Sequence, residues 1–151
     1  MNSFTPATDA MRTWFRLLRL ETSIRAAVTD RLKRHDLSVP QLDVLTTLTE
    51  LEGVSQQELA SRLYVTKGNI SGLIDRMVAS GLVERRKTQA DRRSHAIHLT
   101  QEGRVLAKKG IAIQAEFVGD TIGRLQAEQL AAFEALIVAA RDLVREKAGK
   151  R

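Results

Sequence analysis

The sequence contains no cysteine and only two prolines, Pro6 and Pro40, in 151 residues. Without cysteine there are no disulfides, no thiolate metal sites and no cysteine-based redox sensing. With so little proline, long stretches are free to form helices. No apolar run approaches the roughly 20 residues that span a bilayer. The N-terminus lacks a signal-peptide h-region with a small-residue cleavage site, so a cytoplasmic protein away from membranes is expected. There is no nucleophile-elbow glycine pattern, phosphate-binding glycine loop or two-histidine metal helix, so no enzyme is indicated. The histidines are His35, His95 and His98. The last two are three apart on an expected strand, where they face opposite sides, so neither metal nor cofactor is expected.

What the chain does have is apolar content, 43%, and a net charge of +6. The first suffices for a folded core. The second favours an acidic partner such as nucleic acid. Between residues 55 and 100 stand Arg62, Lys67, Arg76, Arg85, Arg86, Lys87, Arg92 and Arg93, against Glu58, Asp75, Glu84 and Asp91. The excess is densest in "ERRKTQADRRSHAIHLT", residues 84–100, whose end alternates polar and apolar as a strand does. Positive charge on an ordered ribbon, unlike charge on a loose tail, loses little rotamer entropy on binding.

The spacing Leu17, Leu20, Ile24, Val28, Leu32 predicts a helix from about residue 8 to 33. Ser38 and Gln41 form a capping box, with Pro40 in the first turn, and open a second helix ending near Gly53. Ser55 and Glu58 form another box for a third helix to about Leu63. Thr66 caps a fourth, "KGNISGLIDRMVAS", expected to bury Ile70, Leu73, Ile74, Met77 and Val78, with Gly81 as its terminator. The pair joined by Tyr64-Val65-Thr66 reads as a helix-turn-helix. "LVERRK" and "SHAIHLT" then read as a two-stranded hairpin with its tip near 89–91. Thr100 caps a fifth helix to about Leu125. A sixth begins near Ala127, where Leu130, Phe133, Ile137, Ala140 and Val144 form a seam widened by Leu136 and Leu143. The expected architecture is mainly α with a small β-hairpin wing. Residues 38–100 form a winged helix-turn-helix, and 1–37 with 101–151 form a helical dimerisation region.

The order and motifs resemble the MarR family of bacterial transcription regulators. "GLVERRKTQADRRSHAIHLTQEG" fits the family's wing, D-x-R followed by L-T, an acidic residue and glycine. "QQELASRLYVTKGNISGLIDRM" fits its helix-turn-helix and "LSVPQLDVLTTL" the helix before it. The resemblance implies a homodimer held by the first and last helices, two winged helices on a pseudo-palindromic double-stranded operator, and a cleft for a small ligand. It also implies that Asp91 pairs with Arg93 to stabilise the wing.

The candidate DNA contacts are Ser55, Gln56, Thr66, Lys67, Gly68, Asn69, Ser71, Gly72 and Arg76 around the recognition helix. Arg85, Arg86, Lys87, Arg92 and Arg93 join them from the wing. Asn, Ser and Lys suit base edges and phosphates, and arginine suits a narrow minor groove. Gly68 and Gly72 each cost the helix about 1 kcal/mol relative to alanine, as a close approach to a groove wall would warrant. Trp14, Arg19 and Asp43 are candidate contacts for an aromatic acid or phenol, Trp14 being alternatively dimer packing. Asp43 resembles an acidic ligand-site position of the urate-responsive branch, whose recognition-helix arginine is Leu73 here. The function indicated is a dimeric repressor released by such a ligand. An effector-free architectural DNA-binding protein is the alternative.

Overall fold

The computed structural model describes residues 6–63, 67–88 and 95–149, with the backbone alone for 6–8. The helix-turn-helix turn at 64–66 and the hairpin tip at 89–91 lie outside the described residues, and with them the capping role of Thr66. Six helices run in order: α1 (Pro6–Lys33), α2 (Val39–Glu50), α3 (Gln56–Arg62), α4 (Lys67–Ala79), α5 (Gln101–Asp120) and α6 (Ala127–Ala148). Three short strands accompany them: β1 (Val54–Ser55), β2 (Val83–Lys87) and β3 (His95–Leu99). The chain divides into two compact units, Met1–Ile113 and Gln114–Arg151.

In the first unit, α2 begins as its sequence dictates. The Ser38 hydroxyl accepts the Gln41 amide N–H at 3.3 Å, and the Gln41 side chain accepts the Ser38 N–H at 2.9 Å. Only half of the box expected at α3 forms. Ser55 Oγ accepts the Glu58 N–H at 3.1 Å, while the Glu58 carboxylate pairs with Arg62 at 2.9 Å. An arginine one turn on competes for that carboxylate better than a backbone amide does.

Helix α4 buries Ile70, Ile74 and Met77, and leaves Val78 exposed and Leu73 half-buried, contrary to the expectation for those two. Val78 lies one position off the stripe of i, i+4, i+7 that faces the core. Gly81, at φ +73°, ends the helix in the left-handed region. There the Leu82 N–H reaches back to the Met77 carbonyl at 2.9 Å, a Schellman-type closure.

The wing is a three-stranded antiparallel sheet in the order β1-β3-β2, one strand more than the expected hairpin. β1 is only two residues, Val54 opposite Ile97 and Ser55 opposite Ala96, too short to give a period-2 signal. Across β2 and β3, Val83 faces Leu99, Arg85 faces Ile97 and Lys87 faces His95. Val83, Ile97 and Leu99 are buried, which identifies that side of the ribbon as the core side. His98 points the other way, as expected, alongside Glu84.

The start of α5 explains the L-T-x-acidic-G pattern. Thr100 Oγ1 donates to the Gly81 carbonyl at 2.6 Å and accepts the Gly103 N–H at 3.0 Å. A Cβ at position 103 would collide with the Leu82 carbonyl oxygen. Gly110 likewise leaves room for Leu37 and Leu42. With Ala107, these small residues let α5 sit close on a core built from Leu32, Leu45, Leu48, Leu59, Ile70, Ile74 and Met77.

In the second unit, α5 ends at Asp120 instead of reaching Leu125. Thr121 leaves helical geometry, and a short 3-10 turn over Ile122–Arg124 follows. Gln126 and Gln129 form a capping box at α6.

Candidate nucleic-acid interface

The recognition helix α4 presents Lys67, Gly68 and Asn69 to solvent in its first turn, then half-buries Ser71 and Gly72. A Cβ at Gly68 would meet nothing within 4 Å. The exposed Arg76 guanidinium folds back along the helix, so that a Cβ at Gly72 would touch its Nη1 at 3.5 Å. Side chains on a helix lean toward its N-terminus, and glycine at i−4 clears the path.

The wing cations differ in their surroundings. Arg85 lies on the core side of β2, with its side chain 28% exposed. One Nη2 donates to Asp75 Oδ1 on α4 at 2.6 Å and to Gln56 Oε1 at the start of α3 at 3.1 Å. Arg86, on the opposite side, donates from Nε to Glu84 Oε1 at 2.7 Å. Lys87 is exposed and has no ion pair among the described residues. Ser55 is occupied in capping α3. Thr66, Asp91, Arg92 and Arg93 lie outside the described residues.

Two carboxylates outside the candidate residues also hold the site together. Asp75 holds Arg85 across ten residues, a separation with no local signature. Glu52, in the turn after α2, accepts the Leu99 N–H at 3.1 Å and Arg104 Nη2 at 2.6 and 2.8 Å, with His98 Nδ1 at 3.6 Å. These contacts tie the root of the wing to α5. The Arg104 hydrogen bond, first among them, holds the Glu52 carboxyl below its usual range despite some desolvation.

The three candidate ligand contacts come from two helices, Trp14 and Arg19 from α1 and Asp43 from α2. Arg19 lines an open depression along α1 with Phe15, Leu18, Thr22 and Ser23, a lining that includes neither Trp14 nor Asp43. Trp14 is half-exposed on the same helix. Asp43 stands on α2, where partial burial raises its carboxyl above the usual range and Arg25 of α1 offsets part of the rise. Among the described residues no three His, Cys, Asp or Glu side chains form a metal-holding group. No helix among them is long and apolar enough to cross a membrane.

Residues 35–94 match the model of the MarR family. The chain is 35% identical over 103 residues to the uncharacterized HTH-type transcriptional regulator YsmB of Bacillus subtilis, covering 68% of this chain and 70% of that one. The chain belongs to the MarR family. It is 42% identical over 78 residues to the HTH-type transcriptional regulator TtmR of Methylorubrum extorquens; that match spans 52% of this chain but only 40% of TtmR. The fold is similar to that of Streptococcus pneumoniae FabT, solved in complex with DNA, at TM-score 0.80 and 18% identity over 91% of this chain and 98% of FabT. As a MarR-family chain, it shares the family's winged-helix fold, with the third strand of its sheet supplied by β1.

Proposed function

We propose that this protein is a cytoplasmic homodimer that binds a pseudo-palindromic operator in double-stranded DNA and represses transcription until a small aromatic acid or phenol releases it. The observation that carries the reading is the pairing of two surfaces. Helix α4, whose exposed first turn carries Lys67 and Asn69, is tied through Asp75 and Arg85 to a wing whose Lys87 is exposed. A recognition helix in the major groove and a wing over the backbone use such groups for bases and phosphates. Trp14, Phe15 and Leu17 on α1, with Leu136, Ile137 and Leu143 on α6, are large apolar side chains open to solvent in the single chain. Patches of that kind mark an interface, here a second copy.

Release by a ligand requires tighter binding to the arrangement that does not fit DNA. Asp43 suits a phenol, whose hydroxyl can donate a hydrogen bond to its carboxylate. The test is selection from a randomised duplex pool, followed by titration of the selected DNA and a scrambled duplex. A two-fold symmetric sequence bound at least about a thousandfold tighter is expected. Equal affinities would identify an architectural DNA-binding protein. An aromatic-acid panel that changes neither operator affinity nor Trp14 fluorescence would remove the effector.

A further inference from the structure

Resting on the DNA-binding reading, we propose that Arg85 is a positioning residue that, held by Asp75, presents the side-chain amide of Gln56 to a DNA phosphate. The wing's cation density suggests a phosphate contact for Arg85, yet its place in the fold suggests otherwise. It stands opposite the fully buried Ile97, on the ribbon side that faces the helices. Its Nη2 has two N–H bonds, and the two acceptors at 2.6 and 3.1 Å use both. Asp75 also cancels its charge at close range, leaving little net attraction for a phosphate.

The consequence falls on Gln56. A glutamine amide offers an acceptor oxygen and an NH2 donor, and the two are exchanged by a half-turn. Here the half-turn would set NH2 against a guanidinium N–H, donor against donor. Arg85 therefore selects the orientation with Oε1 inward and leaves Nε2 with donors alone. Gln56 is the first residue of α3, the helix that crosses the DNA backbone in a helix-turn-helix, where amide donors meet phosphate oxygens and set register. Asp75 lies on the recognition helix and Arg85 on the wing, so one guanidinium fixes three DNA-facing elements relative to each other.

The experiment uses the full-length protein and a duplex that it selects from a randomised pool, with affinity measured at several salt concentrations. Gln56→Ala should weaken binding about fivefold, the effect of one hydrogen bond, with no change in salt slope because the amide is neutral. Arg85→Met should weaken binding by a similar factor, again at unchanged slope, and the double variant should be no worse than either single one. Asp75→Asn, a conservative change at an exposed position, should also weaken binding although it removes a negative charge. Melting temperature and dimer mass are checked for each variant. If Arg85→Met fails to fold, Gln56→Ala and Asp75→Asn carry the test. A slope reduced by about one in Arg85→Met, losses that add in the double variant, or binding by Asp75→Asn that is unchanged or tighter would each make Arg85 a direct phosphate contact and overturn the proposal. A wild-type protein that binds no duplex would instead remove the DNA-binding reading itself.

Discussion

Arg104 and Glu52 meet across 52 residues of sequence, the arginine Nη2 lying 2.6 and 2.8 Å from the two carboxylate oxygens. The same carboxylate takes the Leu99 N–H as β3 ends, so one charge closes the junction of wing and α5. Its folded-state pKa is depressed, so its stabilisation is present above the ordinary glutamate pKa of about 4.3 and is lost as pH falls through the folded value. Water reaches both partners, which limits the contribution to under about 1 kcal/mol. Glu52→Gln should lower the melting temperature slightly at pH 7, and the gap from wild type should close in acid. Thermal melts of both proteins across pH check it; a gap that widens in acid would contradict the assignment.

Asp43 shows the opposite sign. Partial burial raises its folded pKa, so its ionised form costs stability at neutral pH, and the cost is relieved as pH falls through that raised value. Arg25 offsets some of the cost, and solvent access keeps the net effect under about 1 kcal/mol. Asp43→Asn should therefore be neutral to slightly stabilising at pH 7 in chemical denaturation. A clear loss of stability would mean that the ionised carboxylate is needed in the fold.

Gly103 has no such latitude. A methyl group there would occupy the space of the Leu82 carbonyl, which also accepts the Thr100 N–H at 3.1 Å. Relief requires α5 to shift from the α4–β2 corner, so Gly103→Ala should cost about 2–4 kcal/mol although alanine is the better helix former. Gly68→Ala, where the added methyl meets nothing within 4 Å, should instead stabilise the isolated protein. Urea denaturation of the two variants gives the comparison.

Much of this fold was legible because its signals are local. The box at Ser38, the terminator of α4 at Gly81 and the direction of Ile97 and His98 follow from residues within one turn or one strand. β1 was not legible: two residues carry no alternation, and Val54 and Ser55 pair only because β3 passes beside them. The overlong α5 was a failure of the same kind, since only the backbone at Thr121 marks its end. At the interface, the sequence marked which residue types suit DNA. It did not separate the inward Arg85 from its neighbours, because Asp75 and Gln56 are brought to it by tertiary structure. Trp14 and Arg19 were grouped by their chemistry and Asp43 by resemblance, and they stand on the two helices expected of them, α1 and α2.

The apolar side chains on α6 make a prediction about assembly. Leu136 and Leu143 are 69% and 66% exposed in the single chain, at i and i+7 on one face. If a second copy covers them, Leu143→Glu buries an unpaired charge in the dimer and nothing in the monomer. Dimer dissociation should rise at least about tenfold in sedimentation, with helix content by circular dichroism unchanged. An unaltered dimer would place the interface elsewhere.

The wing ribbon gives the last prediction, since its neighbouring cations have different partners. Lys87 is exposed without an ion pair among the described residues, whereas Arg86 is held by Glu84 two residues back. A phosphate contact made by a free ammonium releases one counterion, so Lys87→Ala should reduce the salt slope of DNA binding by about one on operator and random duplex alike. Arg86→Ala should change the slope less, because Glu84 already neutralises its guanidinium. Glu84→Gln should do the reverse of both, freeing Arg86 and tightening binding to every duplex, most at low salt where screening is weakest. The three slopes are measured by titration at several salt concentrations with dimer mass checked alongside. Equal slope losses for Lys87→Ala and Arg86→Ala would mean that the Glu84 pair opens when DNA binds, and the wing then acts as an undifferentiated basic clamp.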